Sequence, residues 1–258
     1  MDDPTRMFRL DGRTAIITGA SSGLGVVMAE ALAGAGANVV LAARRTERIE
    51  ELARTLTAAG GKALAVSCDV SREQDVDRMI AATQERFGSL DVLVNNAGIA
   101  NPQPAEQESL EDFMRILDVN LGGVFLCAQR CARVMLKAGK GVIVNVASVL
   151  GVVGAGQIPQ ASYTASKGGV VNLTRELAAQ WARRGIRVNA ILPGWFPSEM
   201  TAGMFDNDDG KRWIRGRTPM GRAGDPKELN GALLFLASDA STYVTGAMIL
   251  VDGGWTTV

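Results

Sequence analysis

Short apolar segments rich in β-branched residues alternate with longer amphipathic segments along most of the chain. Several of the short segments are apolar on both faces, which is typical of strands buried beneath helices on either side. These predicted strands are residues 14–18, 38–41, 62–66, 91–94, 142–146, 187–192 and 248–251. Regular strand–helix alternation predicts an α/β fold, a doubly wound, Rossmann-like parallel sheet of about seven strands with helices on both faces.

Two of the amphipathic segments begin with capping signals. Ser71 followed by Gln74, and Asp225 followed by Pro226 and Glu228, have the spacing of a capping box. In such a box, two side chains accept hydrogen bonds from backbone N–H groups that the first helical turn leaves free. We therefore expect helices to begin at both places.

No internal repeat, low-complexity tract or linker interrupts the alternation. We therefore predict a single domain over residues 1–258, with a flexible tail at about 1–7. The least regular stretch lies late in the chain and contains several aromatic and methionine side chains. A long irregular segment with apolar anchors predicts a lid over an active site, at about residues 195–222, which we call the lid segment.

The numbers of charged residues limit which binding partners are expected. Lys and Arg together number 27, as do Asp and Glu, so the formal net charge is +0. Because binders of nucleic acids or membrane surfaces carry an excess of cations, neither kind of partner is expected. No apolar run approaches the ~18 residues of a transmembrane helix. The residues from Met1 to Pro4 lack the apolar core of a signal peptide, so we expect a cytoplasmic protein.

The chain contains no histidine, which excludes Ser-His-Asp and Cys-His catalysis and any histidine-based metal site. The three cysteines, Cys68, Cys127 and Cys131, show no metal-binding spacing and are expected to be small buried side chains. We predict no metal ion. Proton transfer is therefore left to tyrosine, lysine or a carboxylic acid.

A glycine-rich turn, Thr18–Gly25, follows the first predicted strand and precedes an alanine-rich helix. Glycine allows a tight turn and lets backbone amides approach a pyrophosphate at the start of a helix, where the helix dipole favours negative charge. The turn predicts dinucleotide binding, although a purely structural turn could also collect glycines. The residues assigned to the coenzyme here are Gly19, Ser21, Ser22, Gly23, Leu24 and Gly25.

The end of the second predicted strand distinguishes the two nicotinamide coenzymes. An acid there would accept the ribose hydroxyl of NAD, whereas an arginine would bind the 2′-phosphate of NADP. The chain has Arg44 and Arg45 at this place and no acid. Since guanidinium groups suit bidentate phosphate recognition, NADP(H) is favoured over NAD(H). The alternative is that both arginines simply face solvent at the start of a helix.

Tyr163 and Lys167 are four residues apart, so one helix face presents both. Free tyrosine has a pKa of ~10, too high for efficient proton exchange near neutrality. An ammonium ~4 Å away would lower the pKa of the tyrosine by ~3 units at an effective dielectric constant of ~20. Ser148 follows a predicted strand at the sheet edge where doubly wound folds bind ligands, and Asn120 lies in the preceding helical segment.

The chain resembles the short-chain dehydrogenase/reductase family from about Phe8 to Trp255. Within that family, it is similar to 3-oxoacyl-carrier-protein reductases and to gluconate-type sugar dehydrogenases. The motifs that carry the resemblance, in the order and spacing of the family, are Thr18–Gly25, Asn95–Gly98, Asn120, Ser148, Tyr163 with Lys167, Pro193-Gly194 and Asp252-Gly253-Gly254.

The resemblance implies an oxidoreductase that transfers hydride between a nicotinamide and a carbonyl or secondary alcohol. Tyr163 would be the general acid and base, and Lys167 would lower its pKa and hold the nicotinamide ribose. Ser148 would polarise the substrate carbonyl. Asn120 would anchor a water that links Lys167 to solvent.

The family's coenzyme contacts fall on further residues of this chain. Asp69 and Val70 would contact adenine, Asn96 would contact a ribose, and Ser198 stands where the family usually has threonine, beside the nicotinamide carboxamide. The remaining residues assigned to the coenzyme are Ala97, Gly98, Pro193, Gly194 and Phe196, together with Tyr163 and Lys167.

The substrate is not specified by these motifs. Residues 151–160 and three aromatic residues of the lid segment, Trp195, Phe196 and Trp213, are expected to form apolar pocket walls, which favours a carbonyl compound with a hydrophobic portion. A basic group near the lid segment would either attract an anionic substrate or form a solvated face. This group comprises Lys211, Arg212, Arg215 and Arg217.

Three further expectations remain open at this level. An NAD-dependent alcohol or sugar-acid dehydrogenase is the alternative enzyme. A non-catalytic nucleotide-sensing regulator is the alternative of another class, but it should lack a member of the Ser148, Tyr163 and Lys167 set, and all are present. The family resemblance also implies a homotetramer or dimer, and apolar residues beyond Lys167 (Val170, Val171 and Leu173) are compatible with subunit packing.

Overall fold

The computed structural model describes residues 3–258. Met1 and Asp2 lie outside the described residues, and Pro4–Phe8 form a short 3₁₀ helix whose start is capped by Asp3. The flexibility expected for residues 1–7 therefore stays a prediction, but part of that segment has a defined helical turn.

All seven strands belong to one parallel sheet, in the order β3-β2-β1-β4-β5-β6-β7. The strands are β1 Thr14–Thr18, β2 Asn38–Ala43, β3 Lys62–Ser67, β4 Val92–Asn95, β5 Gly141–Val146, β6 Ile186–Pro193 and β7 Met248–Val251. Each lies within two residues of its predicted bounds. The predicted doubly wound α/β fold is thus confirmed.

The helices connect successive strands and cover both faces of the sheet. They are α1 Leu24–Gly34, α2 Thr46–Ala58, α3 Glu73–Phe87, α4 Leu110–Leu117, α5 Gly123–Ala138, α6 Ala161–Trp181, α7 Ala202–Phe205, α8 Asp208–Arg217 and α9 Asn230–Ala237. Apolar side chains of α1, α2 and α9 pack on one face, and those of α3, α5 and α6 pack on the other. No helix of residues 3–258 has both the length and the apolar character needed to cross a bilayer.

Alternate residues of each central strand serve the two layers. In β1, Ala15 and Ile17 pack against α1 and its neighbours, whereas Ile16 packs against the opposite layer. All three side chains are inaccessible to solvent. Burial of both faces explains why these strands are continuous apolar runs rather than alternating ones.

A buried polar chain crosses the otherwise apolar core between β4, β5 and α6. Asn95 Nδ2 donates to Asn145 Oδ1 (2.9 Å), and Asn145 Nδ2 donates to Thr174 Oγ1 (2.9 Å). The Thr174 hydroxyl in turn donates to the Val170 carbonyl one helical turn earlier. Because buried polar groups are costly unless they are paired, this chain specifies how α6 sits on the sheet.

One of the two predicted capping boxes is wrong. Helix α3 begins at Glu73, after the uncapped residue Arg72. Ser71 instead donates its hydroxyl to Asp69, whose side chain also accepts from the Ser71 backbone N–H. The local Asp69 turn therefore engages the hydroxyl that the capping prediction had assigned to the helix.

The other predicted box is confirmed, since Asp225 and Glu228 make the reciprocal bonds at the start of a 3₁₀ turn that leads into α9.

The lid segment is more regular than predicted. It contains a 3₁₀ turn, Glu199–Thr201, followed by α7 and α8. The polar turn that looked irregular in the sequence supplies a helix cap, because Asn207 accepts from the Gly210 N–H at the start of α8. The polar residues around Asn207 therefore begin a helix and do not form a loop.

Candidate active site

A cleft of about 640 Å³ opens at the carboxyl ends of β1, β4, β5 and β6. Strand order reverses between β1 and β4, and doubly wound sheets bind ligands at such a reversal. Of the residues predicted to contact the coenzyme, every one except Gly25 lines this cleft. The predicted catalytic residues Ser148, Tyr163 and Lys167 also line it, whereas Asn120 is buried behind it.

The glycine-rich turn brings backbone atoms to the cleft at the start of α1. Gly19 has φ +69°, and a Cβ there would lie 2.8 Å from the Ala97 Cα. Gly23 has φ +56°, and a Cβ on it would lie 3.1 Å from the Ser198 Cβ. Gly25 supports the turn from inside, because a Cβ there would collide with the Gly19 carbonyl. Side chains at these positions would therefore crowd or collide with neighbouring segments, so the turn packs this closely only with glycine.

Arg45 forms the rim of the cleft beside this turn. Its Nε donates to Ser21 Oγ (3.1 Å), and its Nη2 donates to Ser22 Oγ (2.5 Å). Its Nη1 lies 2.8 Å from Glu199 Oε2, and Arg48 binds the other oxygen of the same carboxylate. Neither Glu199 nor Arg48 was predicted from the sequence.

Arg44 also lines the cleft and makes no ion pair with any residue in 3–258. Both predicted arginines thus lie where the sequence placed them, on the exposed edge of the cleft.

Ser148, Tyr163 and Lys167 meet on the inner side of the cleft, and we call these three residues the buried wall. Lys167 is 3% exposed, and its Nζ donates to the Val146 carbonyl (2.8 Å) and lies 5.6 Å from the centroid of the Tyr163 ring. The Ser148 hydroxyl lies close enough to Tyr163 to lower the pKa of the phenol. Strand β5 and helix α6 therefore bring these three groups together, as their predicted roles require.

The expected lowering of the tyrosine pKa is not what the structure shows. Burial raises the pKa of Tyr163, and the nearby Ser148 hydroxyl only partly opposes this effect. Burial also lowers the pKa of Lys167 to about 8. The reason is geometric, because the ammonium is directed at the Val146 carbonyl and no polar group other than Ser148 offsets the desolvation of the phenol.

Asn120 lies in a π-helical turn, Asp118–Gly122, between α4 and α5. Its side chain accepts from the Ile99 N–H (2.8 Å) and donates to the Ile99 carbonyl (2.9 Å) and to Ser166 Oγ (3.1 Å). A Cβ on Gly98 would lie 3.3 Å from Asn120 Oδ1 and 3.6 Å from Lys167 Nζ. The Asn120 amide thus connects Ile99 in the lining of the cleft to Ser166 of α6, next to Lys167. The predicted role of Asn120 in anchoring a water stays a prediction.

An acid outside the predicted motifs holds the start of α6. Glu108 accepts from the backbone N–H of Ser162 (3.3 Å) and from its hydroxyl. The residue that precedes the helix, Gln160, makes no side-chain cap of its own. A carboxylate at a helix start satisfies free N–H groups and interacts favourably with the helix dipole, so Glu108 positions the helix that carries Tyr163.

Most of the predicted pocket walls lie outside the lining of the cleft. Among residues 3–258, neither residues 151–160 nor Trp195 and Trp213 line the cleft, although Phe196 does. Trp195, Trp213 and Trp255 pack in a cluster of edge-on and tilted rings, with ring centroids 4.9–5.6 Å apart, which is a stabilising arrangement for large aromatic side chains. Val153, Ala155 and Ile158 belong to the same apolar cluster, which also contains Tyr163. The role of these residues as walls of a substrate pocket therefore stays a prediction.

The basic group of α8 forms a solvated face rather than an anion site. Lys211 and Arg212 pair with aspartates three residues earlier in the same helix, and Arg217 stacks over the rings of Trp213 and Trp255.

Of the apolar residues beyond Lys167, Val170 and Val171 are buried within the chain, and Leu173 is partly buried, so a part of these residues in subunit packing stays a prediction. Exposed apolar side chains lie elsewhere, at Leu110 and Met114 of α4 and at Phe125 of α5.

The residues that line the cleft fit a nicotinamide dinucleotide. The bare glycine turn faces the cleft at the start of α1, where free N–H groups and the helix dipole suit a pyrophosphate. Guanidinium groups lie at one end of the cleft, and the buried wall lies at the other. An anionic, extended molecule with a polar reactive end matches this distribution of charge.

Known proteins match the chain over nearly its whole length. A protein family described as "Enoyl-(Acyl carrier protein) reductase" matches residues 19–256. The cis-4-hydroxycyclohexanecarboxylate dehydrogenase of Sinomonas cyclohexanicum is 44% identical over 247 residues, which are 95% of this chain and 97% of that protein. A 3-oxoacyl-[acyl-carrier-protein] reductase of Synechocystis sp. is 39% identical over 250 residues, 96% of this chain and 98% of that protein.

A solved structure also matches the chain over nearly its whole length. A gluconate 5-dehydrogenase from Burkholderia cenocepacia J2315, in complex with NADP and tartrate, has a TM-score of 0.95 and 40% sequence identity with this chain. The match covers 99% of this chain and 100% of that one. Sequence and fold thus lead to the same group of proteins.

Proposed function

Because the chain belongs to the short-chain dehydrogenase/reductase family and is an NAD(P)-dependent oxidoreductase acting on alcohols or carbonyls, we propose that it uses NADP(H), with Tyr163 as general acid and base. The observation that carries this proposal is the buried wall, in which β5 and α6 hold a phenol, a hydroxyl and an ammonium at one end of a dinucleotide-sized cleft.

Each residue of the buried wall has a distinct task in carbonyl reduction. NADPH, when bound, supplies the hydride. Ser148 donates a hydrogen bond to the substrate oxygen and polarises the carbonyl, while Tyr163 gives its proton to the same oxygen. Lys167, with a pKa of about 8, stays largely protonated at neutral pH and supports the return of a proton to Tyr163. In alcohol oxidation the proton moves in the opposite direction.

The burial of Tyr163 bears on the direction of the proposed reaction. Burial stabilises the neutral phenol, which suits a proton donor in the reductive direction. To act as a base in oxidation, Tyr163 needs positive charge nearby, and Lys167 at 5.6 Å from the ring is the residue that provides it. The geometry thus favours reduction near neutral pH.

The preference for NADP(H) is supported by the exposed edge of the cleft. Strand β2 ends without an acid, and Arg44 and Arg45 follow it. Arg45 lies against the hydroxyls of Ser21 and Ser22, so guanidinium and hydroxyl donors converge on one spot. Such a donor set suits a phosphate monoester. The gluconate 5-dehydrogenase of similar fold was solved in complex with NADP.

A compact secondary alcohol or ketone with some apolar surface is the proposed substrate class. Ile99, Ala100 and Met200 line the cleft together with the buried wall, so the reacting carbon would meet mainly apolar side chains. The named relatives act on a hydroxycyclohexanecarboxylate, a 3-oxoacyl thioester and gluconate. A matching panel of alicyclic ketones, 3-oxoacyl thioesters and keto-acids would select among these chemical types.

We further propose that the chain assembles into a homotetramer through its exposed apolar residues. Leu110 is 75% exposed, and Met114 and Phe125 are each close to half exposed, on the neighbouring helices α4 and α5.

The test of the catalytic assignment is Tyr163→Phe. Removal of the phenolic proton should lower turnover by about 10²–10⁴-fold on the best substrate of the panel, because a positioned general acid contributes about that factor. The dissociation constant of NADPH should change little, since the ring is retained. Stopped-flow oxidation of NADPH and fluorescence titration measure the two quantities. Turnover close to that of the unsubstituted enzyme would refute the role of Tyr163.

A further inference from the structure

Glu199 occupies the arginine site with an anion that belongs to the protein itself. Its two carboxylate oxygens bind Arg45 Nη1 (2.8 Å) and Arg48 Nη1. The two arginines, above all Arg48, together with Ser22, lower the pKa of Glu199 to about 2, so the carboxylate is ionised at any working pH. We call Arg45, Arg48 and Glu199 the charged rim.

The partners of this carboxylate are the groups that would hold the 2′-phosphate under the proposed function. Arg45 faces the hydroxyls of Ser21 and Ser22 with its remaining donors. A phosphate monoester carries more charge than a carboxylate and has three acceptor oxygens, so it binds such a donor set more strongly. Because Arg45 cannot serve both anions in the same geometry, Glu199 and the 2′-phosphate compete for it.

The competition is feasible because the charged rim is exposed. The side chains of Arg45, Arg48 and Glu199 are 44%, 51% and 53% exposed. Exposed ion pairs are weak and screened by salt. A ligand phosphate can therefore displace the carboxylate without leaving a buried charge unpaired.

Displacement of Glu199 also acts on the lid segment. Glu199 is the first residue of the 3₁₀ turn that leads into α7, and it directly follows Ser198. The base of the lid segment also approaches the glycine turn closely, because a Cβ on Gly23 would lie 3.1 Å from the Ser198 Cβ. The bridge from Glu199 to Arg45 and Arg48 thus ties the first part of the lid segment to the end of the loop after β2 and to the first turn of α2.

We propose that Glu199 is a coenzyme-specificity residue, an internal competitor that the 2′-phosphate of NADP(H) displaces and that NAD(H) leaves in place. NADP(H) binding would then release the first turns of the lid segment, whereas NAD(H) binding would leave them tied. Glu199 accordingly weakens NADP(H) binding relative to NAD(H) binding. This inference rests on the proposed NADP(H) preference.

The experiment compares the unsubstituted protein, Glu199→Gln and Glu47→Gln. Glu47 is an exposed acid in the first turn of α2, and its substitution makes the same change in net charge without touching the charged rim. Dissociation constants are measured by fluorescence titration for NADPH and NADH. They are measured also for 2′,5′-ADP and ADP, which report on the phosphate end without the nicotinamide.

Glu199→Gln should tighten NADPH and 2′,5′-ADP by about 3-fold, the factor that an exposed ion pair represents. The dissociation constants of NADH and ADP should stay within about 2-fold, and Glu47→Gln should change none of the four beyond this range. Hydrogen exchange at residues 199–205 should quicken in the unsubstituted protein with NADPH but not with NADH. An unchanged or weakened affinity of Glu199→Gln for 2′,5′-ADP would overturn the proposal.

The same titrations would show whether the proposed NADP(H) preference itself is wrong. The unsubstituted protein would then bind ADP at least as tightly as 2′,5′-ADP. If Glu199→Gln then acquires preferential 2′,5′-ADP binding, Glu199 competes for the phosphate site as inferred, whereas its displacement by NADP(H) in the unsubstituted protein is rejected together with the NADP(H) preference. If the variant still shows no such preference, both proposals are rejected.

Discussion

The two sides of the cleft are built on opposite physical principles. The buried wall keeps Lys167 almost free of solvent contact, and α6 is held by Glu108 at its start and by the Asn145–Thr174 bond further along. The charged rim is about half exposed and consists of side chains from distant segments. The groups proposed to exchange protons are thus fixed in place, whereas the groups proposed to recognise the phosphate can rearrange.

The difference determines what each side can do. A buried network loses free energy whenever one member is removed, so its geometry is preserved across conditions. Exposed ion pairs contribute little and respond to salt and to competing anions. Substitutions in the buried wall should therefore have large effects that are independent of salt, and those in the rim should have small effects that salt removes.

The largest expected effect, after that of Tyr163→Phe, is on the pH dependence of reduction. Lys167 has a pKa lowered to about 8 by burial, so its ammonium form is lost above that pH. The turnover number for carbonyl reduction should fall by about tenfold per pH unit above about pH 8. The raised pKa of Tyr163 keeps the phenol protonated over this range. A turnover number that stays constant to pH 10 would contradict this assignment.

The lowered pKa of Lys167 should also make the free energy of unfolding depend on pH. The folded protein releases the Lys167 proton at about pH 8, whereas the unfolded chain keeps it until about its ordinary value of 10.5. Between these values the unfolded chain binds more protons, so the contribution of Lys167 to the free energy of unfolding rises with pH. Denaturant unfolding of the unsubstituted protein and Lys167→Met at pH 7 and pH 10 measures this change.

The next largest effect is expected for Thr174→Val, which tests the buried hydrogen bond between Asn145 and Thr174 that holds α6 on the sheet. The change preserves shape but leaves Asn145 Nδ2 without its acceptor in the core. The free energy of unfolding should fall by about 1–3 kcal/mol, the cost of a buried donor without a partner. Thr55→Val is the matched control, because the hydroxyl of Thr55 is exposed and bonds only to its own helix. Equal losses for the two variants in urea unfolding would show that the network has no special role.

The smallest effect should come from Arg44→Ala on the exposed edge. Loss of one solvent-exposed guanidinium should raise the dissociation constant of NADPH by about 3- to 10-fold and that of NADH by less than about 2-fold. Arg54→Ala removes an exposed arginine of the following helix, α2, that does not line the cleft, and it should change neither constant. Titration at low and high salt completes the comparison, since salt should reduce the effect of Arg44→Ala. Equal changes for NADPH and NADH would remove the argument for a phosphate site.

The fold was largely predictable because the strands are short, mostly apolar segments that alternate with amphipathic helices, and each strand ends within two residues of its predicted bounds. Local competition was harder to predict. Ser71 and Gln74 have the spacing of a capping box, yet Asp69, two residues before Ser71, takes the hydroxyl. Trp195 and Trp213 were expected to line the cleft, but they pack with Trp255 in a cluster that contains Tyr163 and lies outside the lining of the cleft. Such outcomes depend on tertiary contacts that spacing does not encode.

The site was predictable to the extent that it consists of short motifs. Tyr163 and Lys167 share one helix face because they are four residues apart. The charged rim has no such signal, since Arg45 and Glu199 are separated by 154 positions and meet only in the folded chain. The direction of the Tyr163 pKa shift also required the structure, because it depends on the loss of hydration around the phenol.

The strand order has a consequence for how the chain is made. Strand β1 lies in the middle of the sheet, β2 and β3 extend it on one side, and β4 to β7 then extend it on the other. Each strand that emerges from the ribosome therefore meets an edge that is already formed, so the sheet can grow in step with synthesis, from the N-terminus onwards. Arg45 and Arg48 are made early and Glu199 late, so a nascent chain has both guanidinium groups before it acquires the carboxylate that pairs with them.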